Sequence, residues 1–253
     1  MGREPLIVGN WKMHGTIEET LKMITELRHK LTPGGPEVAI APPFTALYSA
    51  QVVLQETPIK LAAQDTYWEI DGAFTGAVSP LFLKDVGCSY VIVGHSERRE
   101  YFGETDETVN RKIRAAQAQE LIPIFCLGEM AEQRKAGKTD EALESQLKQG
   151  LAGIPMADLK NLVIAYEPVW AIGSGKTATT EEIQGAVHFI RDHLGRNYDG
   201  PTANGIRLLY GGSVTPEAAR GIAQLKDVDG FLVGGNSLIV DKFVRIIAAG
   251  RGN

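Results

Sequence analysis

Eight short runs of apolar residues recur along this chain and constrain its fold more than any other feature. They occupy Leu6–Val8, Val38–Ala41, Leu61–Ala63, Tyr90–Val93, Ile122–Leu127, Leu162–Tyr166, Ile206–Tyr210 and Gly230–Val233. Because none of them alternates between apolar and polar residues, each fits a strand that is buried on both faces. Strands of this kind belong to a parallel sheet that is covered by helices.

Segments with helical signals separate the apolar runs. Thr16 and Thr179 each stand three residues before a glutamate, which is the capping-box spacing, and Pro216 suits the first position of a helix. We expect further helices over Ala46–Leu54, Pro80–Val86, Asp106–Leu121, Thr139–Leu151 and Leu238–Ala249. The resulting order is strand then helix, repeated along the chain.

Eight strand–helix units in 253 residues match the size of a closed (β/α)8 barrel of the α/β class. An open doubly wound sheet uses the same alternation, and periodicity does not separate the two. No linker or shift in composition divides the chain, so we expect one domain over residues 1–253. The connection Asp65–Ser79 is long and aperiodic, which is typical of a functional segment.

Charge and cysteine content limit the expected partners and location. The chain has 26 Lys and Arg residues against 31 Asp and Glu, a net charge of −5, and no basic run longer than two. We therefore expect neither nucleic acid nor a membrane as a partner. Cys88 and Cys126 have no CxxC or zinc-site spacing, so we expect reduced thiols, no metal and a cytoplasmic protein.

Polar side chains follow three of the predicted strands, at the ends where either architecture places its chemistry. In chain order they are Asn10, Lys12, His95, Glu97 and Glu167. Taken singly, each is most often a solvated or ion-paired surface group. Together, a carboxylate, an imidazole and an ammonium supply a base, a proton-transferring electrophile and a fixed positive charge.

Glycines follow the last two strands, at Gly211-Gly212-Ser213 and Gly234-Gly235. Backbone N–H groups approach an anion closely where no Cβ intervenes, so these turns predict a phosphate site, and two ordinary tight turns are the alternative. The sequence GSGKT at 173–177 is not a Walker A phosphate-binding loop, because the first glycine of that motif would fall at position 170, where this chain has Trp170. We interpret 169–177 as a lid that excludes water.

Five motifs of the chain resemble the triosephosphate isomerase family, in its order and spacing and over nearly the whole length. They are GNWKM at 9–13, VGHSERR at 93–99, AYEPVWAIG at 165–173, YGGSV at 210–214 and LVGG at 232–235. The resemblance implies a single-domain TIM barrel that needs no cofactor or metal. It also implies the interconversion of dihydroxyacetone phosphate and D-glyceraldehyde 3-phosphate, in glycolysis and gluconeogenesis.

The resemblance assigns a role to each candidate site residue. Glu167 would move a proton between the two substrate carbons, neutral His95 would donate to the substrate oxygens, and Lys12 would stabilise enediolate and phosphate charge. Asn10 would assist Lys12, and Glu97 would hold Lys12 or relay to it. The implied substrate- and phosphate-binding positions are Asn10, Lys12, Gly173, Ser213, Gly234 and Gly235.

The resemblance further implies a homodimer, in which Asp65–Ser79 projects into the neighbouring subunit and Thr75 reaches the catalytic residues there. Four residues depart from the family's pattern, with the usual residue in brackets: Asp65 (Asn), Ala77 (Glu), Ser174 (Thr) and Asn236 (Ala). None of these changes removes a catalytic group. We expect Ala77 to weaken ion pairing to Arg98, and Asn236 to alter the phosphate contacts.

Two other functions fit the same residues. A Schiff-base aldolase would use Lys12 as a nucleophile inside an apolar barrel. A non-catalytic phosphosugar-binding barrel would keep the phosphate pocket and the lid. The joint presence of Lys12, His95 and Glu167 favours the isomerase over both.

Overall fold

The eight apolar runs form eight parallel strands in the computed structural model, which describes residues 3–172 and 177–250. The strands are β1 Leu6–Asn10, β2 Glu37–Ala41, β3 Lys60–Ala63, β4 Tyr90–Val93, β5 Ile122–Leu127, β6 Val163–Tyr166, β7 Arg207–Tyr210 and β8 Gly230–Val233. They pair in chain order, and β1 also pairs with β8, so the sheet closes on itself. The predicted (β/α)8 barrel is confirmed, and the open doubly wound alternative is wrong.

Helices connect the strands and cover the outside of the barrel. They are α1 Ile17–Lys30, α2 Leu47–Leu54, α3 Pro80–Val86, α4 Ser96–Phe102, α5 Asp106–Ala118, α6 Ala131–Lys135, α7 Thr139–Gly150, α8 Met156–Leu159, α9 Thr180–Asn197, α10 Gly200–Gly205, α11 Pro216–Ala223 and α12 Val240–Ala249. Short 3-10 helices lie at Phe44–Ala46, Val169–Ala171 and Gly235–Leu238. Within the described part of the chain, no helix is long and apolar enough to cross a membrane.

The strands are buried on both faces because the barrel has two apolar layers. In β4, Tyr90 and Ile92 belong to the cluster that fills the barrel interior, whereas Val91 and Val93 belong to the cluster between strands and helices. This arrangement explains why the runs show no polar alternation. Cys126 lies in the inner cluster and is fully buried, and burial raises the pKa of its thiol.

Local signals set most helix starts. The side chains of Thr16 and Thr179 cap α1 and α9 in complete capping boxes, and α11 begins at Pro216 as expected. Two predicted helix bounds are wrong by more than one residue. Helix α5 ends at Ala118 because Glu120 adopts a left-handed φ of 56°, and α12 begins at Val240 because a 3-10 turn precedes it.

Candidate active site

A cavity of about 480 Å³ opens at the carboxyl ends of the strands. Its lining brings together all the sequence-predicted site residues that the structure describes: Asn10, Lys12, His95, Glu97, Glu167, Ser213, Gly234 and Gly235. The remaining candidate, Gly173, lies outside the described residues, as does Ser174. Residues from five separate segments of the sequence therefore converge on one cavity.

The carboxylate of Glu167 is held by the start of helix α4. Its Oε1 lies 3.1 Å from Nε2 of His95, and its Oε2 accepts a hydrogen bond from the backbone N–H of Ser96 at 3.0 Å. The residue follows β6 directly and is 2% exposed. Each carboxylate oxygen thus lies against a nitrogen atom of the protein, and the group is shielded from bulk water.

His95 is the N-cap residue of α4, and its ring is oriented by the helix. The Nδ1 atom accepts a hydrogen bond from the backbone N–H of Glu97 at 3.3 Å. Because an accepting nitrogen carries no proton, the hydrogen-bond network assigns the ring proton to Nε2. That Nε2 atom lies 3.1 Å from Oε1 of Glu167.

The ammonium of Lys12 lies between a carboxylate and a glycine turn. Its Nζ pairs with Oε1 of Glu97 at 2.6 Å, and its Cε would lie 3.3 Å from a Cβ built on Gly234. Lys12 has a left-handed φ of 53°, which is unusual for a residue with a side chain. Gln64 supports this conformation, because its Nε2 donates to the carbonyls of Lys12 and Ala41 at 2.8 and 2.7 Å.

Two glycines leave space for the backbone and side chain of Glu167. A Cβ on Gly211 would lie 2.9 Å from Cγ of Glu167, and a Cβ on Gly128 would lie 1.7 Å from its carbonyl oxygen. Both distances are far below van der Waals contact. Glu167 can therefore take its observed position only because both residues are glycine.

The two predicted phosphate turns border the same cavity. Ser213 follows β7, and Gly234 and Gly235 follow β8, where Gly235 begins a 3-10 helix. Asn236 in that helix donates from Nδ2 to the carbonyl of Val214 at 2.7 Å. The side chain of Asn236, which stands where the family's pattern has alanine, therefore contacts the turn after β7.

A buried carboxylate anchors the first residues of the predicted lid. Glu129 is fully buried, accepts a hydrogen bond from Nε1 of Trp170 at 2.8 Å and accepts another from the Tyr166 hydroxyl at 3.1 Å. The Arg134 guanidinium stacks on the Trp170 ring, 4.2 Å from its centroid. Burial and the Glu129 charge raise the pKa of Tyr166, so this phenol stays a hydrogen-bond donor.

Arg98 keeps carboxylate partners within its own chain, despite Ala77. Its Nη2 lies 2.8 Å from Oδ2 of Asp65, and its Nε lies 3.5 Å from Oε2 of Glu104. Lys112 pairs with both carboxylates, at 2.6 Å from Asp65 and 2.5 Å from Glu104. Within this chain, Asp65 supplies a carboxylate to Arg98.

A larger cavity, of about 770 Å³, lies at the opposite end of the barrel. Its polar lining mixes cations and carboxylates, among them Arg28, Lys60, Glu37 and Glu56. It contains none of the candidate catalytic residues. Because (β/α)8 barrels place catalysis at the carboxyl ends of their strands, the smaller cavity is the candidate active site.

Sequence reasoning missed three contributors to the site: Gln64, the Ser96 backbone and Gly211 as a neighbour of Glu167. Gln64 directly follows β3, so its position after a strand was a usable signal. The other two contributions depend on contacts across the barrel, between residues 71 and 44 positions apart in sequence. No local pattern reports such contacts.

Comparison with known proteins identifies the family of this chain. The family model described as triosephosphate isomerase matches residues 5–250. Proteins named triosephosphate isomerase from Geobacter metallireducens and Geotalea uraniireducens are 51% and 49% identical to this chain, over 248 and 246 residues. Each alignment covers 97% of this chain and 98% of the relative. The chain belongs to the triosephosphate isomerase family.

Proposed function

We propose that the cavity at the carboxyl ends of the strands interconverts dihydroxyacetone phosphate and D-glyceraldehyde 3-phosphate through an enediolate. Family membership gives the reaction, an aldose–ketose isomerisation, and does not favour the aldolase or the non-catalytic barrel. The observation that carries the assignment of residues is the 3.1 Å separation between Oε1 of Glu167 and Nε2 of His95, in the cavity that Lys12 also lines. The proposal treats residues 1–253 as one catalytic domain.

Glu167 is the proposed base. It removes a proton from the substrate carbon next to the carbonyl and returns it to the neighbouring carbon. Burial keeps water away from its carboxylate, and the Ser96 N–H and the neighbouring Nε2 of His95 fix where it starts. To reach substrate, the carboxylate has to leave at least one of these two neighbours.

His95 is the proposed proton donor to the substrate oxygens. Its Nε2 carries the proton and points at the position that Glu167 now occupies. A substrate oxygen that enters the cavity can accept the same proton. The enediolate oxygen then receives a hydrogen bond from a neutral group that is already oriented.

Lys12 supplies the positive charge of the site. The enediolate and the phosphate are both anionic, and the Lys12 ammonium lies between Glu97 and the Gly234 turn. Glu97 holds the ammonium at 2.6 Å, and Asn10 accepts a hydrogen bond from the Lys12 backbone N–H at 3.1 Å. We assign the phosphate to the turns at Ser213 and Gly234-Gly235, with Gly173 as a further contact.

We also propose a homodimer built on Asp65–Ser79. Residues 69–77 are exposed, and this tip includes Ile70 and Phe74 with 36% and 42% of their surfaces exposed. A second subunit that covers the tip would bury these apolar groups and would place Thr75 near its catalytic residues. We further place the enzyme in the cytoplasm, where the same reaction serves glycolysis and gluconeogenesis.

A coupled assay in both directions tests the proposed function. The purified chain should convert each triose phosphate into the other, and a phosphorylated enediolate mimic should inhibit it tightly. Tight binding of the mimic without turnover would favour the non-catalytic barrel. Covalent trapping of substrate on Lys12 by borohydride would instead favour the aldolase.

A further inference from the structure

We propose that Asn236 is a positioning residue that sets the affinity of the site for a phosphate group, by tying the turn after β7 to the turn after β8. The inference rests on the proposed function and deepens it. The two turns are residues 211–215 and 234–238. Asn236 belongs to the second turn and is bonded to the first.

The strand pairing below these turns gives them little support. Strands β7 and β8 are joined in register at a single pair, Tyr210 with Phe231, whereas β1 and β2 are joined at five pairs. No further register pair follows Tyr210 and Phe231 towards the turns. A phosphate cradle that uses both turns needs another link to keep its width.

Asn236 provides that link. Its Nδ2 donates to the carbonyl of Val214 at 2.7 Å, a short and therefore well-formed hydrogen bond. Over the described residues, no other hydrogen bond joins 211–215 to 234–238. Val214 is 3% exposed, so its carbonyl belongs to a packed segment that does not move freely.

Each turn is also rigid in itself, so one bond between them fixes both. In the second turn, the backbone N–H and the hydroxyl of Ser237 both donate to the carbonyl of Gly234, at 2.8 and 2.7 Å. In the first turn, Thr215 caps helix α11 through its hydroxyl. The Asn236 bond thus holds Gly234 and Gly235 at a fixed distance from Ser213.

This link depends on the amide of this chain. Alanine, the residue that the family's pattern leads us to expect here, has no donor for the Val214 carbonyl. Donors that are fixed before the ligand arrives bind it with less loss of conformational freedom. Asn236 should therefore tighten phosphate binding relative to Asn236→Ala, without contact between its side chain and the reacting carbons.

The experiment compares Asn236→Ala with a matched control, Asn197→Ala. Asn197 also donates from Nδ2 to a backbone carbonyl, that of His193 at 2.8 Å, but it lies at the end of α9 away from the cavity. Three quantities are measured: the Kd of inorganic phosphate, and kcat/KM for glyceraldehyde 3-phosphate and for unphosphorylated D-glyceraldehyde.

We expect Asn236→Ala to weaken phosphate binding by about three- to tenfold, the size of one hydrogen bond. The kcat/KM for glyceraldehyde 3-phosphate should fall by a similar factor, while the value for D-glyceraldehyde stays unchanged. Asn236→Asp removes the donor and also places a negative charge beside the phosphate turns, so it should weaken phosphate binding more than Asn236→Ala does. Asn197→Ala should leave all three quantities at the wild-type values.

An unchanged phosphate Kd in Asn236→Ala would overturn the inference, and so would an equal loss with both substrates. The second result would mean that the side chain supports the site as a whole and not the phosphate turns. Failure of the proposed function gives a different pattern. In that case the wild type would not isomerise glyceraldehyde 3-phosphate, whereas the phosphate Kd would still distinguish the variants.

Discussion

Oε1 of Glu167 lies 3.1 Å from Nε2 of His95, so the proposed base and the proposed proton donor are direct neighbours in the site. A substrate oxygen that accepts the Nε2 proton has to enter the space between these two groups. The incoming substrate therefore moves the base that acts on it away from His95. The other neighbour of the carboxylate is the Ser96 backbone N–H at the start of α4, which donates to Oε2 of Glu167.

Shortening the base should slow the reaction while binding is largely retained. Glu167→Asp withdraws the carboxylate by one methylene, and a misplacement of about 1 Å can cost on the order of a hundredfold in rate. We expect kcat to fall by about that factor, with KM changed much less, in steady-state kinetics. Glu144→Asp, on the exposed face of α7, is the control. Wild-type turnover in Glu167→Asp would remove Glu167 from the role of base.

Adding a methyl group beside the base should have a similar effect. In Gly211→Ala the new Cβ would lie 2.9 Å from Cγ of Glu167, so the carboxylate has to move. We expect kcat/KM to fall about tenfold or more with the barrel intact by circular dichroism. The control Gly185→Ala meets open space on α9 and should raise the unfolding free energy by roughly 0.5–1 kcal/mol. Equal activity in the two variants would contradict this account.

Removing Gln64 should affect the enzyme through Lys12. Gln64→Ala deletes the donor to the Lys12 carbonyl, which helps to hold Lys12 at a φ of 53°. One such bond contributes about 1 kcal/mol, so we expect KM for both triose phosphates to rise about fivefold. Gln149→Ala, which loses an exposed side-chain hydrogen bond on α7, should keep the wild-type KM. A Gln64→Ala enzyme with unchanged KM and kcat would show that Lys12 needs no such support.

Stability should decrease in mildly acidic solution because of His193. This side chain is buried on α9, and desolvation lowers its pKa below the ordinary value of 6.5. The unfolded chain therefore binds a proton more readily, so the unfolding free energy falls as pH drops from 6.5 towards the lowered pKa. His193→Gln should reduce this slope in denaturant titrations at several pH values. The exposed His29→Gln is the control, and equal slopes in both variants would refute the assignment.

Shortening the loop should reduce dimerisation and activity together. Removal of residues 68–75 deletes the exposed tip with Ile70, Phe74 and Thr75 and leaves the strands untouched. We expect a folded monomer with weak activity, because the neighbouring subunit no longer braces Lys12 and His95. Sedimentation and activity across protein concentration provide the measurement. A wild-type monomer that is fully active at micromolar concentration would disprove the dimer.

Much of the fold could be predicted from the sequence because its signals are local. Continuous apolar runs mark strands buried on two faces, and the bounds of β4, β5 and β8 match the runs residue for residue. The Thr16 and Thr179 capping boxes likewise lie within four consecutive residues each. Closure of the sheet could not be predicted from local patterns, because it depends on the pairing of β1 with β8 at opposite ends of the chain.

Short helices without strong propensity were also missed. Helix α10 begins and ends at glycine, and it forms because Asp199 caps it through the Thr202 N–H at 2.6 Å. The position of the candidate site followed from the strand ends, but its internal contacts did not. The bonds from Ser96 to Glu167 and from Gln64 to Lys12 arise only when the barrel brings distant segments together.

The most direct test of the central claim, proton transfer through an enediolate, is the isotopic content of product formed in D2O. Dihydroxyacetone phosphate is converted by the wild type, and the glyceraldehyde 3-phosphate is trapped and examined by NMR. Because the proton on the Glu167 carboxylate exchanges with solvent, a measurable fraction of product should carry deuterium on C2. Product that forms at the normal rate of the enzyme but carries no deuterium on C2 would contradict the account.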